Sequence, residues 1–274
     1  MSRELNVSLA AGIDDHATGR RVAPESIFPL GSCTKPFTAV AVLRAVERGQ
    51  IGLDDSVASL ADDYLVRHLG RSLTQLYGPD ADRMTVRQLL KMRAGLEDQD
   101  ADKEFKKAVE FPRAAYGPYQ MINDSNKTLI CKPDTCGSYS DLSYGVLGLV
   151  LLKAQGLADY EDLDQLGSAV GKERAALFPH TLFINDGKCS DYRAQGMVSQ
   201  YMPNADGTAF ENIVDNACAN AWTCGNIASD TAGIALFHWL LHTRQLLSAE
   251  SYSEMMNLSQ NFDKYWELGM PYGT

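Results

Sequence analysis

The sequence predicts a folded α/β protein in which helix predominates, and two observations support this fold class. The 274 residues are 45% hydrophobic and 22% charged, a composition typical of globular proteins and unlike that of disordered or fibrous chains. Short strand-like segments lie near the amino terminus, whereas apolar residues at helical spacing dominate from residue 32 onward. The length accommodates one large domain or two interleaved ones.

The first elements are predicted as two extended segments followed by a buried helix. Residues 6–12 and 22–28 have the pattern of short strands, separated by a polar turn. Apolar residues then recur at helical spacing over residues 32–47, and Arg48-Gly49 ends that helix. Asp54 and Asp55 are placed to cap a short helix that follows.

Three later helices are predicted over residues 85–96, 142–157 and 229–244. Thr85 is the expected cap of the first, which Gly95 ends, and Ser229 or Asp230 is the expected cap of the last. Residues 111–138 predict a long irregular loop, and residues 180–225 are also rich in loop. Loops of such length in compact domains commonly serve function.

The charge balance excludes two classes of partner. The chain has 25 basic and 35 acidic residues, so its formal net charge is −10, and its isoelectric point is near 5.0. Binding to nucleic acid or to an anionic membrane surface depends on basic patches, and none is present. The longest apolar stretches, such as Val146–Leu152, are far shorter than the roughly 20 residues of a membrane span. We therefore expect no nucleic-acid partner and no membrane-spanning segment.

Six cysteines, at positions 33, 131, 136, 189, 218 and 224, leave two interpretations open. Cys131 with Cys136, and Cys218 with Cys224, are close enough in sequence to form disulfides, or all six are buried thiols. Their spacing does not match a structural zinc site. Cys33 is expected to be a buried filler.

Sequence features bear on the cellular compartment in opposite directions. The cysteine pairs and four glycosylation sequons favour a secretory route, although the first ten residues lack the pattern of a signal peptide. The sequons begin at Asn6, Asn123, Asn126 and Asn257.

Ser32-Cys33-Thr34-Lys35 is the first candidate for chemistry. A Ser-x-x-Lys spacing at the start of a helix places the hydroxyl and the ammonium on one face, about one turn apart. The lysine then receives or positions the serine proton, and the serine N–H at the helix start is a donor for developing negative charge. A serine cap beside a surface lysine is the structural alternative.

Tyr139-Ser140-Asp141, just before the helix predicted from residue 142, is the second candidate. A free phenol has a pKa near 10, too high for a base at neutral pH. A lysine ammonium about 4 Å away favours the phenolate by about 3 pKa units at an effective dielectric of about 20, before desolvation acts in the opposite direction. The alternative is a helix cap formed by Ser140 or Asp141.

Taken together, the two motifs resemble those of the serine β-lactamase-related family, which groups class C β-lactamases, D-Ala-D-Ala carboxypeptidases, D-amino-acid peptidases and esterases. FPLGSCTKPFTAVAVLRAVERGQIGLDDSV resembles the family's nucleophile segment, and GSYSDLSYGVLGLVL resembles its tyrosine motif. Three further segments occur in the expected order, so the similarity covers nearly the whole chain. They are Thr85–Asp100, Asp191–Gly196 and Gly225–Ser251.

The resemblance implies a β-lactamase/transpeptidase-like fold and assigns roles within it. Residues 1–55 and 228–274 would form an antiparallel sheet domain, incomplete here, with a helical domain inserted at residues 56–227. Ser32 would be the acylated nucleophile, Lys35 its proton partner, and Tyr139 the base. Asp141 would contact substrate where many relatives have Asn, and would be anionic or paired with Lys35. No metal and no organic cofactor is implied.

Two departures from the family pattern bear on function. Asp141 has no N–H to donate to a substrate amide, which weakens the β-lactamase or peptidase interpretation relative to an esterase one. The family's third motif, Lys-Thr-Gly or His-x-Gly, does not occur in the sequence, which ends on the segment Leu268–Thr274. We therefore expect a missing segment or a complementing chain to complete the sheet.

The predicted function is hydrolysis of an ester, amide or lactam, in a small molecule or a short peptide, through an acyl-enzyme on Ser32. The alternative is a catalytically silent relative or fragment that binds a ligand or protein through the same cleft.

Overall fold

The computed structural model describes residues 7–98, 106, 109–110, 117–204, 207–216, 218 and 222–257. The helices within these residues are α1 (Thr34–Glu47), α2 (Val57–Leu69), α3 (Leu73–Tyr77), α4 (Val86–Leu90), α5 (Pro118–Asp124), α6 (Asp141–Gln155), α7 (Gln165–Val170), α8 (Lys172–Ala175), α9 (Thr231–His242) and α10 (Ala249–Met256). The strands are β1 (Ile13–Asp15), β2 (Arg20–Arg21), β3 (Phe28–Gly31), β4 (Thr181–Phe183), β5 (Tyr201–Pro203), β6 (Phe210–Asn212) and β7 (Ile227–Ser229). The predicted α/β class with predominant helix is confirmed.

The first predicted strand is wrong in position. Residues 7–11 are exposed and contain no strand, while Asn6 lies outside the described residues. The hairpin forms later, between β1 and β2, because the Asp15 side chain accepts hydrogen bonds from the Ala17 and Thr18 amides and organises the turn. The second strand also begins later than predicted, at Phe28.

Helix α1 is the central element of the fold and confirms the buried helix predicted over residues 32–47. It is buried on all sides, and the ring of Phe37 stacks on Phe237 of α9 with 3.6 Å between centroids. A helix that is apolar all round must lie inside the molecule. The chain leaves α1 through Arg48 and Gly49, whose φ of 66° is the left-handed conformation that ends a helix.

Helix α6 packs against α1 and also confirms its prediction. Ser140 caps it by accepting a hydrogen bond from the Ser143 amide, and left-handed Gly156 ends it. Gly148 lets the segment 222–224 approach, since a Cβ there would overlap the ring of Trp222. The close contact brings the backbone of Cys224 next to α1.

The predicted caps have mixed outcomes. Thr85 caps α4 through a reciprocal pair with Gln88, and Asp230 caps α9 by accepting from the Gly233 amide. Neither Asp54 nor Asp55 caps α2, because Ser56 occupies the cap position and Asp55 accepts from the Gly52 amide instead.

Two predicted boundaries differ from the structure. The helix α4 ends at Leu90 rather than at Gly95. Residues 111–138 are not irregular throughout, since α5 lies within them.

The principal sheet has three antiparallel strands with β7 in the centre, flanked by β3 and β4. Phe28 of β3 and Thr181 of β4 both pair with Ser229. Strand β4 belongs to the range predicted as an inserted helical domain, yet it joins the same sheet as β3. The domain division at residues 55/56 and 227/228 stays a prediction. The described residues include no helix that is long and apolar enough to cross a membrane.

Candidate active site

Ser32 lies in the turn between β3 and α1, with its side chain open to solvent. Gly31 has a φ of 50°, a left-handed conformation that turns the chain sharply out of the strand. Thr34 anchors this turn: its hydroxyl donates to the Gly31 carbonyl at 2.8 Å and accepts from the Ile227 amide at 2.9 Å. The serine therefore stands on a turn that is tied to the central strand β7.

Lys35 is one helical turn beyond Ser32 and is only 1% exposed. Its Nζ donates to Ser32 Oγ at 2.9 Å and to the Cys224 carbonyl at 3.1 Å, and it forms an ion pair with Asp141. Three acceptors thus surround the ammonium, matching its three donors. The backbone contact with Cys224 could not be found in the sequence, because a carbonyl group leaves no residue-type signal.

Tyr139 completes the cluster. Its phenol oxygen lies 2.5 Å from Ser32 Oγ, and Lys35 Nζ lies 4.7 Å from the centroid of its ring. The tyrosine is half-buried and immediately precedes the buried cap residue Ser140. The structure therefore brings both Lys35 Nζ and Tyr139 Oη into hydrogen-bonding range of Ser32 Oγ.

The electrostatics of the cluster differ from the simple expectation for a lysine beside a phenol. Burial raises the pKa of Tyr139 above its ordinary value, and the charge of Lys35 offsets this only in part because Asp141 acts in the same direction as burial. For Lys35, burial acts to lower the pKa, but its acidic neighbours Cys224, Asp141 and Tyr139 outweigh it, so the pKa is raised. At neutral pH the resting site holds a protonated phenol and a charged ammonium.

Asp141 adopts one of the two states anticipated from the sequence, the ion pair with Lys35. Its backbone amide donates to the Asp98 carboxylate at 2.8 Å, so a second acidic residue holds the first turn of α6. Sequence reasoning missed Asp98, although its place after the Ala94-Gly95-Leu96 turn of a family segment was a usable signal.

The cysteines correct two sequence predictions. Cys131 and Cys136 form a disulfide, but Cys218 pairs with Cys189, 29 positions away, and not with Cys224. Cys224 is buried and forms no disulfide, and it lies in the segment beside Lys35. Cys33 is exposed and not a buried filler, because it precedes the first turn of α1 and its side chain leaves the helix on the solvent side.

Comparison with known proteins places the chain in a family. The family model described as Beta-lactamase matches residues 2–170, more than half of the sequence. The chain belongs to the β-lactamase family. Its Ser-x-x-Lys and tyrosine motifs both lie inside the matched range.

Individual relatives of this β-lactamase-family chain are distant. It is 26% identical over 175 residues to penicillin-binding protein 4 of Amycolatopsis lactamdurans, which covers 62% of this chain and 41% of the relative. It is 38% identical over 64 residues to esterase EstB of Burkholderia gladioli, covering 23% of this chain and 16% of the relative. The chain therefore spans less than half the length of these two curated relatives.

A solved structure supports the fold. A D-stereospecific amidohydrolase from Streptomyces sp. superposes with a TM-score of 0.72 at 20% sequence identity, over 91% of this chain and 70% of that one. At this identity the likeness concerns the fold: helices with antiparallel sheets, arranged as in β-lactamases and transpeptidases. The fold predicted from the resemblance is confirmed.

Proposed function

We propose that this β-lactamase-family chain provides the nucleophile, the lysine and the tyrosine of a serine hydrolase that works through an acyl-enzyme. The observation that supports the proposal is the convergence on Ser32 Oγ of Lys35 Nζ at 2.9 Å and Tyr139 Oη at 2.5 Å. A hydroxyl nucleophile needs a proton acceptor within hydrogen-bond distance, and the phenol is the group placed to act as one.

The proposed reaction proceeds from the minor form of the site in which Tyr139 is ionised. Ser32 Oγ bonds to the substrate carbonyl carbon while its proton passes to the Tyr139 phenolate. The bond to the leaving group then breaks, and Tyr139 returns the proton to that group. For hydrolysis, Tyr139 takes a proton from water as the water oxygen bonds to the acyl carbon. The bond between the acyl carbon and Ser32 Oγ then breaks, Tyr139 returns the proton to Ser32 Oγ, and the acid product leaves.

Lys35 and the start of α1 supply electrostatic stabilisation in this scheme. The ammonium of Lys35 stays charged because its pKa is raised, so it stabilises the phenolate and does not itself accept the serine proton. We assign to the Ser32 N–H, which immediately precedes the cap residue Cys33 of α1, the role of donor to the oxyanion of the tetrahedral intermediate.

The missing N–H donor at Asp141 favours an ester substrate over an amide or a β-lactam. An ionised Asp141 only accepts hydrogen bonds, and Lys35 already occupies one of its oxygens, so it does not donate to an amide carbonyl of the substrate. The likeness to the esterase and to the D-stereospecific amidohydrolase supports testing both substrate classes. The substrate is thus proposed to be a small ester or a short peptide.

The test compares three chromogenic substrates and two variants. We expect turnover of a p-nitrophenyl ester or a D-amino-acid p-nitroanilide to exceed that of nitrocefin, and Ser32→Ala to abolish it. Cys33→Ala is the matched control, because the neighbouring exposed thiol is the other nucleophile that would react with an activated ester. Turnover that survives Ser32→Ala would reject the mechanism.

A catalytically silent protein is the second candidate, and the high pKa of Tyr139 together with Asp141 favours it. Intact-mass spectrometry after treatment with a fluorophosphonate separates the two functions. One adduct that is absent from Ser32→Ala supports the hydrolase, whereas unmodified but folded protein supports the silent member.

A further inference from the structure

The loop that immediately precedes Tyr139 packs against a tight turn and is hydrogen-bonded to it. We call residues 130–138 the tyrosine loop. Three backbone hydrogen bonds join it to the turn at residues 92–95: the Ile130 amide donates to the Gly95 carbonyl at 3.0 Å, the Asp134 amide to Arg93 at 2.7 Å, and the Ser138 amide to Met92 at 3.1 Å. The last of these bonds immediately precedes Tyr139.

Arg93 clamps the same loop through its side chain. Its guanidinium donates to the Asp134 carboxylate at 2.7 Å and to the Asp134 carbonyl at 2.5 Å, and the Arg93 side chain is only 11% exposed. Asp134 has a φ of 68°, a left-handed conformation that an L-residue keeps only when its surroundings hold it. The forked contact to both side chain and backbone supplies that hold.

A disulfide closes the tyrosine loop. Cys131 and Cys136 bracket Asp134, and Cys136 lies three residues before Tyr139. Gly95 of the turn packs so closely on the Cys131 carbonyl that a Cβ would overlap it. Both cysteines are partly exposed, which leaves the disulfide accessible to a reductant.

We propose that Arg93 and the Cys131–Cys136 disulfide position Tyr139 against Ser32, and that reducing this disulfide slows acylation of Ser32. The inference rests on the proposed function. Reduction by a dithiol breaks the S–S bond, adds two electrons and two protons to give two thiols, and leaves the reductant as a disulfide. The opened loop samples more conformations, and displacement of a reacting group by about 1 Å can cost about 100-fold in rate.

The second disulfide is a matched control. Cys189–Cys218 closes a much longer loop and lies in a separate apolar cluster with Ile27 and Met197. Longer closed loops restrict the unfolded chain more, so this disulfide should contribute more to stability. We therefore expect loss of the Cys131–Cys136 disulfide to act mainly on the acylation rate. Loss of the Cys189–Cys218 disulfide should act mainly on stability against unfolding.

The experiment compares Cys131→Ser/Cys136→Ser with Cys189→Ser/Cys218→Ser, measuring Tm and the rate of Ser32 acylation by a fluorophosphonate below both melting transitions. We expect Cys131→Ser/Cys136→Ser to be acylated at least tenfold more slowly than the native protein, although its Tm falls less than that of Cys189→Ser/Cys218→Ser. Its kcat for a p-nitrophenyl ester should fall with little change in KM. Cys189→Ser/Cys218→Ser should be acylated at the native rate. Equal acylation rates in the native protein and in Cys131→Ser/Cys136→Ser would overturn the inference.

Arg93→Lys and Arg93→Ala test the clamp separately. Lysine keeps the charge but loses the fork, so we expect acylation to be partly retained in Arg93→Lys and reduced at least tenfold in Arg93→Ala, with the pH profile displaced. A loss of rate that follows Tm alone, in both Arg93 variants and in Cys189→Ser/Cys218→Ser, would show a merely structural role.

A readout that needs no turnover separates this inference from the proposed function. Burial holds the pKa of Tyr139 above its ordinary value. NMR titration of ring-labelled tyrosine, with Tyr139→Phe for assignment, should show that pKa moving toward about 10 in Cys131→Ser/Cys136→Ser. If the native protein is not acylated at Ser32, the proposed function fails. In that case, a Tyr139 pKa that is the same in Cys131→Ser/Cys136→Ser as in the native protein would also reject the positioning role. A Tyr139 pKa that differs between the two proteins would support the positioning role.

Discussion

The phenol oxygen of Tyr139 lies 2.5 Å from Ser32 Oγ, although 107 positions separate the two residues in the chain. The approach depends on two packed helices: Ser32 precedes α1, and Tyr139 precedes α6, which lies against α1. Lys35 then links both ends, since it donates to Ser32 and pairs with Asp141 at the start of α6. The contact between the Ser32 and Tyr139 hydroxyl groups is thus a property of helix packing.

Asp141→Asn should displace the pH profile of acylation to lower pH. Asp141 raises the pKa of Tyr139, so removing its charge lowers that pKa and leaves more phenolate at a given pH. The rate rises with pH below the pKa of the base, and each unit of displacement changes the rate at fixed pH by about tenfold. Stopped-flow acylation between pH 6 and 10 measures the profile, and a displacement to higher pH would contradict the proposed base.

Gly148→Ala should destabilise the protein and slow acylation, because the new methyl group overlaps the ring of Trp222 and pushes the segment of Cys224 away from Lys35. Overpacking of this kind costs about 1–3 kcal/mol. Gly145→Ala is the control in the same helix: its Cβ would meet the flexible side chain of Met121 at 2.9 Å, which can move aside. Equal losses of unfolding free energy and rate in the two variants would refute this account.

Thr34→Val should lower stability by about 1–3 kcal/mol and reduce activity together with it. The buried hydroxyl accepts from the Ile227 amide, and valine leaves that donor without its partner next to the turn of Ser32. Thr34→Ser keeps the hydroxyl and should retain most of the activity. Urea unfolding and ester turnover measure the two effects, and native behaviour of Thr34→Val would show that the anchor is dispensable.

Tyr77 should contribute to unfolding in alkali. Burial raises its pKa to about 12, with the hydrogen bond between Tyr77 and Ser125 acting the other way. A pKa raised in the folded state gives stability that is complete below the unfolded value of about 10 and is lost as the pH rises through 12. The loss amounts to about 3 kcal/mol, at 1.36 kcal/mol per unit.

Tyr77→Phe tests this contribution. It should lose about 1 kcal/mol at pH 7, where the hydrogen bond with Ser125 is missing, but its stability should fall less steeply between pH 10 and 12. Urea unfolding at several pH values provides the comparison. A decline as steep as that of the native protein would assign the alkaline transition to other groups.

Features that depend on neighbours in the sequence were predictable. Helices α1 and α6, the cap residues Thr85 and Asp230, and the Ser32–Lys35 spacing all follow from side chains within one or two turns. The Cys131–Cys136 pair is similarly local. Cys218, by contrast, was assigned the wrong partner, because which of two candidate thiols lies within bonding distance depends on the path of the whole chain.

The protonation state of the site could not be predicted from the sequence either, because it also depends on how the whole chain folds. A lysine near a phenol can be anticipated from motifs, but whether burial or the ammonium prevails on the pKa of Tyr139 depends on how much water the folded chain excludes. Arg93 and Asp98 were likewise missed, since their partners Asp134 and Asp141 lie more than 40 positions away.

By itself, the order of amino acids determined where a hydroxyl and an amine share one helix face and which residues begin and end the main helices, since these follow from the 3.6-residue repeat and from short-range hydrogen bonds. Only the tertiary structure decided that Tyr139 meets that pair, that Asp141 neutralises the lysine, and which cysteines bond. Those outcomes depend on the distances and the solvent exclusion that packing imposes between segments remote in sequence.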